Sequence, residues 1–203
     1  LGNGGDTLLK TLVVYYSYSG ITRKLAEDIA LLTDGELREL KPQKPYSYSY
    51  NTAVKEVRGE IERGYCPPLQ EGAEPVGDAE LIFVGSPNWL HTFAPPVLSF
   101  LRAVNLSGKT VIPFCTHGGG GFGDMPERYR KECKGAVLRD GIALKGDYSF
   151  DVLEAWIRKN MSRQPNAETL AALAEYPSMQ KNRGAYKRYH SFDEVSDECT
   201  SEN

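Results

Sequence analysis

No run in the 203-residue chain approaches the roughly 18 consecutive apolar residues of a membrane-spanning helix; its most apolar cluster is Leu81-Ile82-Phe83-Val84. A strong charge of one sign is missing too. A formal net charge of −3 argues against a dedicated nucleic-acid binder, which would usually be basic. Cysteine is scarce: Cys66, Cys115, Cys133 and Cys199 form no CxxC pair and show no zinc-ligand spacing. A chain of this length can bury a sizeable core without disulfide or metal staples. Reduced, structural thiols are therefore expected, and with them a reducing, cytoplasmic compartment. No internal repeat of solenoid period is present. The chain begins Leu1-Gly2-Asn3-Gly4-Gly5 without methionine, so a trimmed terminus and a removed leader both stay open.

What is there alternates. Thr11–Tyr16 is a β-rich apolar run, too short for a helix. It ends in Ser17-Tyr18-Ser19-Gly20-Ile21-Thr22, and a helical pattern follows with Leu25, Ala26, Ile29 and Leu32 on one face. Thr22 suits the N-cap of that helix. Gly35–Leu40 reads as a second strand. Asn51 is placed to cap a helix carrying Val54, Val57 and Ile61, which Gly64 stops. Leu81–Val84 is a third strand, buried on both faces by its lack of alternation. A helix opened by Pro95 and Pro96 carries Val97, Leu98, Leu101 and Val104, since proline suits a first helical turn. Thr110–Thr116 is a fourth strand, followed by a glycine cluster and a helix over 125–134. The fifth strand is either Ala136–Leu138 or Ile142–Leu144. Val152, Leu153, Trp156 and Ile157 line a last helix. Five strand–helix alternations with short connections predict a parallel sheet with helices on both faces.

The pattern changes near Asn160. Residues 158–190 carry seven basic and two acidic groups, net +5, and residues 191–203 carry five acidic and no basic groups, net −5. The expected organisation is one domain over 1–160 and an extension over 161–203, with a short helix at Ala167–Glu175 and an irregular tail.

Ligands of open parallel sheets bind beyond the carboxyl ends of the strands. Three segments at that edge stand out. Ser17–Thr22 combines hydroxyls, a glycine and a helix N-terminus, a ready anion site. It lacks the lysine of GxxxxGK[ST], and no GxGxxG is present, so a cradle of neutral donors suits a phosphate monoester. Pro87-Asn88-Trp89-Leu90-His91-Thr92-Phe93 reads as a loop whose Trp89 either stacks on a planar ring or folds back onto the core. Thr116–Asp124 holds five glycines, which permit positive φ and close backbone approach to a ligand. Together the three match a phosphorylated planar heterocycle. Cys115, at a strand end, is expected to be buried and inert. No nucleophilic triad is present, and neither catalytic nor metal-ligating residues are assigned.

Ser17-Tyr18-Ser19-Gly20-Ile21-Thr22 resembles the [ST]-x-[ST]-G-x-T phosphate loop of the flavodoxin family. Gly85-Ser86-Pro87-Asn88-Trp89 followed by Pro95-Pro96-Val97 resembles the flavin-flanking loop of its shorter bacterial branch, and the glycines after Cys115-Thr116 resemble its third flavin loop. The segment from Pro45-Tyr46 to Pro67 resembles the region between its second and third strands. The resemblance spans about residues 8–160. It implies an α/β, flavodoxin-like three-layer sandwich with a five-stranded parallel sheet in the order 2-1-3-4-5. It implies non-covalent FMN, with Ser17, Tyr18, Ser19, Gly20, Ile21 and Thr22 around the phosphate. Trp89 would flank the isoalloxazine, with Pro87, Asn88, Leu90, His91 and Thr92 beside it. Thr116, His117, Gly118, Gly119, Phe122 and Gly123 would approach the pyrimidine end. In one respect the chain departs: Leu90-His91 stands where the family usually offers a glycine able to flip its peptide towards flavin N5. A non-glycine residue disfavours the positive φ of such a turn.

The expected function is electron transfer or NAD(P)H-dependent reduction of a quinone-like acceptor. The partners would be a redox protein or a small acceptor, with homodimerisation open and neither nucleic acid nor membrane span expected. The alternative is a non-enzymatic module of the same fold, binding an acidic partner through the basic stretch Lys181–His190.

Overall fold

A computed structural model describes residues 9–161. The expected extension beyond Met161, with its helix at 167–175, lies outside the described residues. The element order is β1 (Thr11–Tyr15), α1 (Ile21–Thr33), β2 (Glu36–Glu39), β3 (Lys41–Pro42), α2 (Tyr50–Arg63), β4 (Leu69–Glu71) and β5 (Leu81–Trp89). Then follow β6 (Thr92–Phe93), α3 (Pro95–Ala103), β7 (Thr110–Thr116), α4 (Met125–Glu132), β8 (Val137–Leu138), β9 (Ile142–Leu144) and α5 (Phe150–Asn160).

The main sheet runs β2-β1-β5-β7, with β8 and β9 both paired to β7, and these pairings are all parallel. Counting parallel strands along the chain, this is the order 2-1-3-4-5. The two candidates for the fifth strand are both right. Val137–Leu138 pairs with Thr110–Val111 and Ile142–Leu144 with Phe114–Thr116, so one strand is interrupted at Arg139-Asp140-Gly141. Gly141 sits where a Cβ would come within 2.5 Å of Pro113 O and 2.6 Å of the Phe122 ring. A small antiparallel pair, β3 with β4, was not foreseen.

Alternation along the strands sets the layers. Leu12, Val14, Tyr16, Ile82, Val84 and Val111 join Ala53 and Val57 of α2, Val97 and Phe100 of α3, and Met125 and Tyr129 of α4 in one buried cluster. From the opposite face Phe83 meets Trp156 of α5 edge-on at 5.7 Å, and α5 packs beside α1. Burial of each such side chain contributes about 1.5–3 kcal/mol. Among the described residues the buried charged group is Asp28 of α1, which is paired with Lys24 at 2.6 Å and accepts a hydrogen bond from Tyr148. A buried carboxylate without such partners would be costly.

Helix starts depart from expectation twice and helix stops twice. Gly20, not Thr22, is the N-cap of α1, because a φ of 88° makes the turn that the chain needs there. Ser49, not Asn51, precedes α2, so that helix begins earlier. Gly64 does stop α2, in the left-handed region. Pro95 and Pro96 open α3, which ends at Ala103, so Val104 caps the helix instead of extending its face. The fourth helix ends at Glu132.

Candidate functional site

Three connections meet at the carboxyl ends of β1, β5 and β7, where the strand order reverses between β1 and β5. Ser17 Oγ accepts the Gly20 N–H at 3.1 Å, bending the first loop into the start of α1. No side chain caps α1, so the backbone donors of its first turn stay available to an anion. Ser19 is exposed, Gly20 and Ile21 are half-buried, and Gly20 has open space where a Cβ would stand. The cation at hand, Arg23, is engaged by Glu39 at 2.6 Å, and that bond holds its pKa above the ordinary value. The loop is thus a cradle of neutral donors. Thr22 is buried, and its hydroxyl shares a 2.7 Å hydrogen bond with that of Thr116, tying the first segment to the third.

The second segment is not a loop but a hairpin. Pro87, Asn88 and Trp89 continue β5, Leu90-His91 is the turn, and Thr92-Phe93 returns as β6, with Asn88 opposite Phe93 and Trp89 opposite Thr92. Both turn residues have positive φ, 53° at Leu90 and 67° at His91. Two-residue hairpins need that backbone because it matches the strand twist. The expectation that non-glycine residues would keep this turn out of the left-handed region is therefore overturned. Surrounding bonds impose the conformation. The Asp124 N–H donates to His91 O at 2.7 Å, and the Asn88 amide donates to Gly121 O at 2.6 Å. The Ala94 N–H donates to the buried Ser86 hydroxyl at 2.8 Å. Arg128 reaches from α4 to donate to Thr92 Oγ1 at 2.9 Å while lying over the Phe93 ring. Leu90 and His91 themselves are exposed.

The third segment leaves β7 at Thr116. The His117 N–H donates to Leu144 O at 3.0 Å, and its half-buried imidazole has a solvent-inaccessible Nδ1 with no partner. Gly118 and Gly119 are exposed, with open space in place of a side chain. Phe122 packs against Gly141, and Gly123, at φ 54°, lies so close that a Cβ would come within 2.3 Å of His91 O. Cys115 Sγ lies 3.4 Å from Thr116 O and 3.6 Å from Gly121 O, and burial pushes its thiol up to about 12, as it does that of Cys133. Both are protonated at neutral pH.

Trp89 is held in an aromatic nest that sequence reasoning missed. Tyr16, Tyr18 and Tyr46 meet its ring edge-to-face, with centroids at 5.4, 5.4 and 5.1 Å. Such contacts favour one ring orientation. The Tyr46 hydroxyl donates to Glu60 and the Tyr18 hydroxyl to Ser47 O, so α2 and the loop preceding it brace the nest. Burial raises the phenol pKa values of Tyr16, Tyr18 and Tyr46, and it also raises that of the Glu60 carboxyl against the bond from Tyr46. Tyr46 lay inside a Tyr-Ser repeat whose alternation gave the only available signal. Beside the nest, a cavity of about 100 Å³ opens between α2 and the hairpin.

An open parallel sheet with a neutral anion cradle, a braced aromatic hairpin and bare glycine backbone at its switch point defines a doubly wound α/β ligand-binding protein. The sequence profile of flavodoxins matches residues 10–160, and the chain belongs to the flavodoxin family. A proposed flavoprotein from Bacteroides uniformis ATCC 8492 is 25% identical, with a TM-score of 0.68 over 73% of this chain and 97% of that one. A flavoprotein in complex with FMN from Lactobacillus acidophilus NCFM is also 25% identical, with a TM-score of 0.60 over 72% and 97%. A Bacteroides eggerthii DSM 20697 structure, 24% identical over 76% and 99% with a TM-score of 0.67, shares the fold. No curated protein matches in sequence. Among the described residues, no helix is long and apolar enough to cross a membrane.

Proposed function

We propose that the chain binds FMN and works as a redox protein, moving electrons to a partner protein or from NAD(P)H to a small quinone-like acceptor. The observation that carries this reading is the convergence of three unlike donor sets on one edge, tied together by the Thr22–Thr116 and Asn88–Gly121 bonds. The residues fit the cofactor. Uncapped α1 amides, open backbone at Gly20, Gly118 and Gly119, and an unpartnered His117 Nδ1 are groups that a phosphorylated heterocycle would satisfy. The Lactobacillus relative in complex with FMN supports the choice of flavin.

On this reading Ser17, Ser19 and Thr22, with the amides of Gly20 and Ile21, hold the phosphate, and Tyr18 stands beside them. The Ser17 hydroxyl, which accepts the Gly20 N–H, would donate its own proton to the phosphate. Trp89 flanks the ring, with Pro87, Asn88, Leu90, His91 and Thr92 fixing its height. Thr116, His117, Gly118, Gly119, Phe122 and Gly123 line the pyrimidine edge, where backbone N–H groups stabilise negative charge as an oxyanion hole does. FMN, when bound, supplies one- and two-electron chemistry that no side chain here provides. We place this function in residues 1–160, with 161–203 as an extension, and in a reducing cytoplasmic compartment that suits thiols kept free.

The test is titration of the purified chain with FMN, followed by anaerobic addition of NADPH. Saturable quenching of flavin fluorescence at one FMN per chain is expected. Bleaching by NADPH assigns the reductase role, and bleaching only with a partner reductase assigns the carrier role. An unshifted free-flavin spectrum at excess FMN would overturn the proposal.

A further inference from the structure

Three phenols touch the Trp89 ring, and they differ in what their hydroxyls meet. The Tyr16 hydroxyl has no hydrogen-bond partner among the described residues. The Tyr18 hydroxyl donates to a peptide carbonyl, Ser47 O, at 2.6 Å. The Tyr46 hydroxyl donates to a carboxylate, Glu60 Oε2, at 2.5 Å. Of these acceptors the carboxylate alone is base enough to take up a proton near neutral pH. Helix α2 fixes that base in place. One turn apart, Glu56 accepts the Ser47 N–H at 3.2 Å and Glu60 accepts the Tyr46 hydroxyl, so both face the segment that carries the phenol. Burial, and after it the charge of Glu56, raises the Glu60 carboxyl above its ordinary pKa despite the bond from Tyr46, which makes it readier to take a proton.

Tyr46 is also the phenol nearest the indole. Its ring centroid lies 5.1 Å from that of Trp89, against 5.4 Å for Tyr16 and Tyr18. Electrons pass readily between aromatic rings in direct contact. A phenol that loses an electron becomes a strong acid, so it yields the electron easily only where a base takes its proton in the same step. Tyr46 is 8% exposed and has that base beside it. The second tryptophan offers the contrast: the ring that Trp156 meets among the described residues is Phe83, which has no hydroxyl proton to give.

We infer that Trp89, Tyr46 and Glu60 form a proton-coupled relay that draws a one-electron oxidising equivalent away from the ligand edge. A radical oxidant reaching that edge takes one electron from Trp89. Tyr46 returns one electron to the indole and passes its hydroxyl proton to Glu60 Oε2, leaving a neutral tyrosyl radical and a protonated carboxyl. A small one-electron reductant of the ascorbate class then supplies an electron, Glu60 gives back the proton, and the phenol is restored. The relay stands on these three side chains alone; its use beside a redox cofactor rests on the FMN reading.

Pulse radiolysis of the flavin-free full chain in azide solution is the test, because the azide radical oxidises tryptophan in preference to tyrosine. The indolyl absorption should decay as a tyrosyl absorption rises, at a rate independent of protein concentration and slower in deuterium oxide. Glu60→Gln keeps an oxygen for the Tyr46 hydroxyl but cannot take its proton, and should slow the transfer about a hundredfold. Tyr46→Phe keeps a ring against Trp89 and should remove this phase. Trp156→Phe should leave its rate unchanged. Failure of the tyrosyl signal to form, a rate proportional to protein concentration, no slowing in deuterium oxide, or indifference to either Glu60→Gln or Tyr46→Phe would each overturn the inference. The same transfer in a chain that takes no FMN would leave the relay standing and remove only its place beside a cofactor.

Discussion

The hairpin turn at Leu90-His91 and the glycine loop at 117–123 stand side by side at one sheet edge and solve the same backbone problem in opposite ways. The loop reaches positive φ at Gly121 and Gly123 with glycine, at no steric cost. The turn reaches it at Leu90 and His91 with side chains attached, at about 1–2 kcal/mol per residue. A strained turn persists only where its neighbours over-determine it. Here the neighbour is the loop itself, since Asp124 N–H holds the turn at His91 and Gly121 O holds the strand entering it at Asn88. The segment with the most freedom thus locks the one with the least.

The largest effect expected from breaking this arrangement is at Gly123. Gly123→Ala forces a methyl into His91 O at a φ that alanine avoids, and should cost about 2–4 kcal/mol in urea unfolding. Asn88→Ala removes the tie to Gly121 and should cost about 1–2 kcal/mol, with faster amide exchange at residues 90–93 as its signature. Leu90→Gly sharpens the comparison from the other side. It relieves strain and should raise stability by about 0.5–1 kcal/mol, provided the clamp and not the side chain sets the turn. A loss of stability would show that Leu90 packing matters more. The smallest effect at neutral pH lies in Cys115, whose thiol has Thr116 O and Gly121 O within reach. Its pKa is raised from about 9 to about 12, so the folded state holds the proton more tightly. That contribution is complete below pH 9 and is lost as pH rises towards 12. Cys115→Ala should flatten this part of the pH–stability curve.

How much of this was legible in the sequence differs between its parts. Runs such as Leu12–Tyr15 and Leu81–Val84, with proline and glycine at their borders, report strand and helix existence through local chemistry. The parallel sheet followed from the alternation of elements, and its strand order from the resemblance to flavodoxins. The hairpin was misjudged because Leu-His carries no turn chemistry of its own, and its geometry comes from bonds to Asp124 and Gly121, distant in the chain. The Thr22 cap failed for a similar reason: its hydroxyl has a better partner in Thr116, 94 residues away. Trp89 left two readings open, and the nest of Tyr16, Tyr18 and Tyr46 that holds it is assembled from two segments far apart in the chain. Contacts of this kind leave no periodic trace.

The interruption at Arg139-Asp140-Gly141 has a consequence for association. A sheet border is a row of unpaired peptide groups that can recruit a second copy, and long flat borders do so most readily. At one border the chain offers two stubs of two and three residues, Val137–Leu138 and Ile142–Leu144, separated by Arg139-Asp140-Gly141. At the other it offers Glu36-Leu37-Arg38-Glu39, three of its four residues charged. Neither is a template for continuing the sheet across a dimer. Any homodimer of this protein is therefore expected to form through helices or through the ligand edge, and its formation should respond to FMN in the second case and not in the first.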